Sequence, residues 1–183
     1  MKTLFIVMSV LGAIIIVSGI AMDAPLFMYP ILLGGLAGIG FFLAPLFKQA
    51  DEMLASGKII LRDPDFMKNA QIFTLSKVSM DDLIAALKNE GLPFVGLEWK
   101  TGNDAMGFRY SDWTAQMVKI GSDENCDRYE FVFLQWQTIR GSAVSFTQMN
   151  QLLTAVEKAF LRLDPSTKVQ TERNKINTKS SFF

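Results

Sequence analysis

The sequence contains no histidine and a single cysteine, Cys126. Histidine is the commonest general base near neutral pH and the commonest zinc ligand. Its absence excludes Ser-His-Asp and Cys-His catalytic sites and histidine-based metal sites. One cysteine cannot form an intramolecular disulfide, which agrees with a reducing compartment. The acidic residues beside Cys126 disfavour its thiolate, so we do not predict a nucleophile there. No catalytic residue, cofactor site or metal site is predicted, which disfavours an enzyme.

An excess of basic charge is also missing. Lysine plus arginine equals aspartate plus glutamate at 18 each, and this balance argues against a nucleic-acid partner. The only basic segment is 165–183, which has a net charge of +3. Because this segment lacks hydrophobic periodicity, we predict a mobile basic tail.

Charged residues are absent from two apolar runs, Leu4–Met22 and Leu26–Phe47. An uncharged helix of about 20 residues is long enough to cross a hydrocarbon layer of roughly 30 Å. The runs therefore predict two transmembrane helices, at about 4–22 and 26–47, with the lipid bilayer as a partner. A cleaved secretory signal over Leu4–Ala21, preceded by Lys2, is the alternative for the first run.

The charges that flank these runs predict an orientation. The turn around Asp23 has no lysine or arginine, whereas four basic residues follow the second run: Lys48, Lys58, Arg62 and Lys68. The positive-inside rule then places both termini in the cytoplasm. The sequence predicts a multi-pass protein of the cell membrane with a cytoplasmic C-terminal domain.

Gly34 and Gly38 form a small-xxx-small pair within the second run. Small residues at this spacing let helix backbones approach closely. The pair is a candidate helix-packing site, either between the two apolar helices or between copies of the chain.

The sequence after Phe47 is long enough for one folded domain. Residues 48–70 are interpreted as the end of the second helix, stopped at Gly57, and a connector. Two helices are predicted to begin at Ser79 and Ser145, because each serine precedes an acidic or glutamine residue by three positions and an apolar stripe follows. Between and before them, alternating apolar residues predict strands. The predicted domain, 71–164, has the order β-α-β-β-β-β-α. It is an α+β fold with a single antiparallel sheet and both helices on one sheet face.

Several strands carry large aromatic residues that could lie on the sheet face away from the helices. In the longest strand, 128–138, Tyr129, Phe131 and Phe133 alternate with Val132, Leu134 and Trp136. Apolar residues on both sides indicate a central strand. Core packing explains such residues, and a partner surface is the alternative. The candidate interaction residues are Trp99, Tyr110, Trp113, Phe131 and Trp136.

Two acidic groups are better explained by structure than by chemistry. The loop Gly121–Asp127 does not match the spacing of a twelve-residue calcium loop, so a hairpin loop is predicted. Asp81 and Asp82 are predicted to complement the dipole of the first turn of a helix. The functional hypothesis is a membrane-anchored binding, scaffold or accessory domain with a protein partner or a second copy. A membrane-proximal enzyme without a recognisable motif and a glycine-packed oligomeric membrane element are the alternatives.

Overall fold

The computed structural model describes residues 2–21, 25, 28–139, 142–173 and 179–182. The chain divides into two compact units, 1–57 and 58–183. The first unit contains helices α1 (Lys2–Ala21) and α2 (Met28–Ala55). Gly57 follows α2 with φ 66°, the left-handed conformation that glycine adopts at no steric cost, so the predicted helix end at this residue is confirmed.

The prediction of two transmembrane helices is wrong. Within the described residues, no helix combines the length and the apolar character that crossing a membrane requires. This finding also overturns the predicted bilayer-spanning hairpin, the multi-pass location and the orientation that was derived from them.

The second unit is built on one mixed sheet. A short 3-10 helix (Phe66–Lys68) precedes it, and the main path runs in the order β2-β3-β4-β5-β1-β7 with all neighbours antiparallel. The strands on this path have the following bounds: β1 Asn69–Ser76, β2 Glu98–Thr101, β3 Ala105–Tyr110, β4 Trp113–Ser122, β5 Cys126–Ile139 and β7 Lys168–Arg173. Two short strands pair with β5 outside this path, β6 (Ser142–Ala143) antiparallel and β8 (Lys179–Phe182) parallel.

Helices α3 (Met80–Asn89) and α4 (Phe146–Leu163) contribute to one hydrophobic core with the strands. Leu83 and Leu87 of α3 are fully buried, as are Val156 and Phe160 of α4. The ring of Phe160 stacks on Phe73 of β1 with centroids 4.5 Å apart. The predicted α+β class is therefore correct for this unit, and so is the predicted order of its central elements.

Both predicted helix starts are observed, but only one has the predicted cap. Ser79 accepts a hydrogen bond from the backbone N–H of Asp82 at 3.1 Å, which satisfies one free donor of the first turn. Ser145 makes no such bond. Its hydroxyl instead donates to Asp112 at 2.6 Å, and its backbone N–H donates to the same carboxylate at 3.0 Å. Ser145 therefore joins the start of α4 to the β3–β4 turn.

The pairing of β4 with β5 shifts register between Thr114 and Ala115. Thr114 lies opposite Gln135, but Ala115 lies opposite Phe133, so Leu134 has no partner on β4. This extra residue is a β-bulge and reverses the alternation of β5. Trp136 consequently lies in the core with Phe131 and Phe133, not on the opposite side as the simple alternation indicated. The prediction of a central strand is confirmed, because β5 pairs with β1 and β4.

The segment 165–183 contains regular structure, in contrast to the predicted mobile tail. Strand β7 pairs with β1 over six residues, from Asn69 opposite Arg173 to Thr74 opposite Lys168. All six residues of β7 are exposed, so no apolar alternation marks the strand. Backbone hydrogen bonds to an available sheet edge explain its position.

A buried ion pair joins the connector to α4. Arg62 donates hydrogen bonds to Asn150, Thr154 and Glu157. Burial lowers the pKa of Arg62 and raises that of Glu157, and their mutual attraction opposes both shifts. Because the side chains are only 12% and 18% exposed, loss of either partner would leave a buried charge unpaired.

Phe160→Ala is expected to reduce the free energy of unfolding by about 3–5 kcal/mol, because it removes a fully buried ring from the core. Leu161→Ala, the next residue on α4 and 44% exposed, is the matched control and should change stability by about 0.5 kcal/mol or less. Denaturant unfolding followed by circular dichroism measures both. Equal losses in the two variants would contradict the assigned helix face.

Candidate functional site

The five candidate aromatic residues lie in different environments. Trp113, Phe131 and Trp136 are 2%, 1% and 4% exposed and belong to the core. Trp99 and Tyr110 are partly exposed and pack against its edge. The bulge in β5 and the alternation of β3 and β4 turn the three buried rings toward the helices. Only Trp99 and Tyr110 of this set can therefore contribute to a surface.

The outer face of the sheet, away from the helices, carries instead a depression centred on Gly107. Gly107 lies opposite Lys100 on β2 and Gln116 on β4. A Cβ built at Gly107 would meet no atom within 4 Å, so the missing side chain leaves a gap between its two neighbours. The gap belongs to a cavity of about 400 Å³, which we call the Gly107 depression. It is lined by Glu98, Trp99, Lys100, Gly107, Phe108, Arg109, Thr114, Ala115, Gln116 and Leu134.

This depression combines apolar walls with charged rims. Leu134 supplies apolar surface, and it lies on this face because the bulge leaves it unpaired. Trp99 and Phe108 lie opposite each other on β2 and β3, where Phe108 belongs to the core and Trp99 packs against it. The residues of β2 on this side, Glu98 and Lys100, are exposed and of opposite charge. Charged residues on an edge strand also hinder unspecific pairing with another sheet.

A second cavity of about 310 Å³ adjoins the first at the end of the β3–β4 hairpin. We call it the Trp113 depression. It is lined by Arg109, Tyr110, Ser111, Asp112, Trp113, Thr114, Gln135 and Gln137. Arg109 and Thr114 line both depressions. The hairpin end is held in place by Asp112, whose carboxylate accepts from Ser145 and whose carbonyl accepts from the backbone N–H of Gln137 at 2.9 Å.

The predicted loop Gly121–Asp127 includes the ends of β4 and β5 in the structure, and it contains a buried acid that the sequence pattern did not distinguish from its neighbours. Asp127 is 1% exposed, and its carboxylate contacts three donor groups. Its Oδ1 is 2.9 Å from Lys119 Nζ and accepts from the Ser122 hydroxyl at 2.7 Å, and its Oδ2 accepts from the Val78 N–H at 3.3 Å. Asp127 therefore joins the β4–β5 hairpin to the segment before α3. No sequence feature short of this tertiary contact separates it from Asp123 or Glu124.

The pKa values in this cluster follow from its contacts. Burial alone would raise the pKa of Asp127, but hydrogen bonds from Lys119, Ser122 and Val78 outweigh it and hold the pKa below its ordinary value. The hydrogen bond to Asp127 correspondingly raises the pKa of Lys119. These contacts satisfy the carboxylate with protein groups, which is the pattern of a structural site.

The remaining candidates are placed as follows. A Cβ at Gly34 or Gly38 would meet no atom within 4 Å, whereas at Gly40 it would lie 2.9 Å from Met8 Cε. The closest described approach of α1 and α2 at a glycine therefore occurs at Gly40. Asp82 receives a hydrogen bond from the Ser79 hydroxyl at the start of α3, in the position expected for a capping acid. Among the residues that the structure describes, no three cysteine, aspartate or glutamate side chains are grouped to hold a metal ion.

Asp127→Asn is expected to lower the free energy of unfolding at pH 7 by about 1–3 kcal/mol, because it breaks a buried charged hydrogen-bond network. The pKa of Asp127 is lower in the folded chain than in the unfolded chain, where it is about 3.9. The ionised carboxylate therefore stabilises the fold above the unfolded pKa, and this contribution is lost as the pH falls through the folded pKa. The difference between wild type and variant should therefore shrink in acid. Denaturant titrations between pH 7 and pH 2 measure it, with the exposed Glu124→Gln as control. A constant difference over this range would contradict the assignment.

Comparison with known proteins adds no assignment to this geometry. No protein-family model matches the chain, and neither the curated proteins nor the solved structures contain a significant match. Any statement about function therefore depends on the chain's own surfaces. In the described part of the chain, the two adjoining depressions on β2–β5 are candidate binding surfaces.

Proposed function

We propose that the chain is a binding protein whose outer sheet face holds a protein partner at the Gly107 depression. The observation that carries the proposal is the gap at Gly107, flanked by Lys100 and Gln116 and bordered by the partly buried Leu134. A concave surface with apolar walls and a few polar groups is the usual form of a binding site. One apolar side chain of the partner fits into the gap.

The charged rim supports a protein as the partner. Glu98 and Lys100 lie on the same side of β2, and Arg109 lies directly opposite Glu98 on β3. Rim charges of both signs fix the orientation of a partner and contribute to the association rate, while a buried apolar centre supplies most of the affinity. A scaffold or accessory role, in which the domain acts by association, agrees with such a surface.

Gly107→Val is expected to abolish partner binding while the domain stays folded, because the added side chain fills the gap and enters open space. Gly121→Val is the matched control. Gly121 is also a strand glycine whose Cβ would meet no atom within 4 Å, and it lies outside the depression.

The measurement is quantitative mass spectrometry of proteins cross-linked to the full chain in its native cells, compared among wild type, Gly107→Val and Gly121→Val. A set of proteins lost at least tenfold in Gly107→Val and retained in Gly121→Val supports the proposal. Equal recovery with all three chains, at equal thermal stability, would remove it.

A further inference from the structure

Strand β7 forms one end of the sheet, and its outer edge is open in the part of the chain that the structure describes. The main path runs β2-β3-β4-β5-β1-β7, so β1 is the neighbour of β7 on one side and no described strand lies on the other. All six residues of β7 are exposed. In an antiparallel pair, the backbone N–H and C=O groups of alternate residues point away from the partner strand. About half of the backbone groups of β7 are therefore available to a further strand.

The strand at the other end of the sheet is shorter. Strand β2 has four residues, and β7 has six. A short edge strand is one of the ways in which proteins avoid pairing with another chain. The longer β7 offers the better template for pairing.

The charges of Lys168 and Glu172 on β7 are left without a partner of opposite sign. The two residues are about 13 Å apart along an extended strand, too far to pair with each other. The residues opposite them on β1 are Thr74 and Ala70, which are uncharged. Among the described residues, neither Lys168 nor Glu172 takes part in an ion pair.

Twofold symmetry restricts how two copies of β7 can pair. In an antiparallel ladder, two residues directly opposite each other either both form the inter-strand hydrogen bonds or both do not. Because such residues alternate along the strand, a residue of β7 can lie opposite its own copy or opposite a residue two or four positions away. Two registers of this kind align all but one residue of the strand. One is centred on Gln170 and the other on Thr171.

The charge pattern selects between these registers. In the register centred on Gln170, Lys168 lies opposite Glu172 of the second copy, and the symmetry repeats this pair. Opposite charges at directly opposite positions stabilise paired strands. The same register places Val169 opposite Thr171 of the second copy, and both residue types favour strands. The register centred on Thr171 forms no pair of opposite charge.

We propose that β7 joins two copies of this chain in an antiparallel dimer, in the register centred on Gln170, and that the sheet continues from one copy into the other. The backbone groups of the open edge supply the hydrogen bonds, as in other cases of strand addition. The two Lys168–Glu172 pairs fix the register. Strand β7 contributes no residue to the Gly107 depression, so the dimer uses a different surface.

The first test is sedimentation equilibrium of the full chain. The wild type is expected to be in equilibrium between monomer and dimer. Lys168→Glu and Glu172→Lys each place like charges opposite each other twice in the dimer, so each should raise the dissociation constant at least tenfold. Lys77→Glu, which reverses an exposed lysine outside β7, is the matched control and should leave the constant unchanged.

Mixing the two weakened variants separates lost pairing from lost folding. In a mixed dimer of Lys168→Glu and Glu172→Lys, every charge at these positions lies opposite a charge of the other sign. An equimolar mixture should therefore dimerise, and so should the double variant Lys168→Glu/Glu172→Lys. A monomeric wild type, a dimer that neither single reversal weakens, or a mixture no tighter than its components would overturn the proposal.

The register has a separate test. Gln170→Cys places a cysteine opposite its own copy, so mild oxidation of the full chain should give a disulfide-linked dimer on a non-reducing gel. In Thr171→Cys the two cysteines are diagonal neighbours about 7–8 Å apart, which is beyond the reach of a disulfide. The wild type, in which Cys126 is the one cysteine, gives the background. Cross-linking of Thr171→Cys equal to that of Gln170→Cys would contradict the register.

Discussion

The bulge in β5 is the constraint on which the surfaces of this domain depend. Side chains on a strand alternate between two faces, so one extra residue exchanges the faces of everything beyond it. Leu134 is that residue, and it allows Phe131, Phe133 and Trp136 to share the core although their spacing is irregular. The bulge also places Leu134 and Gln135 where each lines one of the two depressions.

Carboxylates hold the turns around this sheet in fixed positions. Asp112 joins the β3–β4 turn to the start of α4, and Asp127 joins the β4–β5 hairpin to the segment before α3. Asp164, at the end of α4, accepts from both the backbone N–H and the hydroxyl of Ser76 at the end of β1. In each case an acid satisfies backbone donors that regular structure leaves free. These contacts give the acids a structural role, and Asp112 also fixes the hairpin end that lines the Trp113 depression.

The two depressions adjoin each other, and Arg109 and Thr114 line both. Leu134 of the bulge borders the Gly107 depression, and Asp112 holds the hairpin end that lines the Trp113 depression. Except at the short hairpin turn, strands present the lining residues, so little conformational entropy would be lost on binding.

The sequence by itself determined the local elements of the folded domain. Periodicity and capping residues located both helices, the central β5 and the order of the meander, because these depend on neighbours within a few positions. The sequence was misleading for the two apolar runs. Their length predicted membrane-crossing helices, but no helix of the described chain qualifies as one. Tertiary structure alone decided the burial of Trp136, the role of Asp127 and the position of β7. Each depends on a partner strand or segment distant in sequence, and a pattern of neighbouring residues contains no information about that partner.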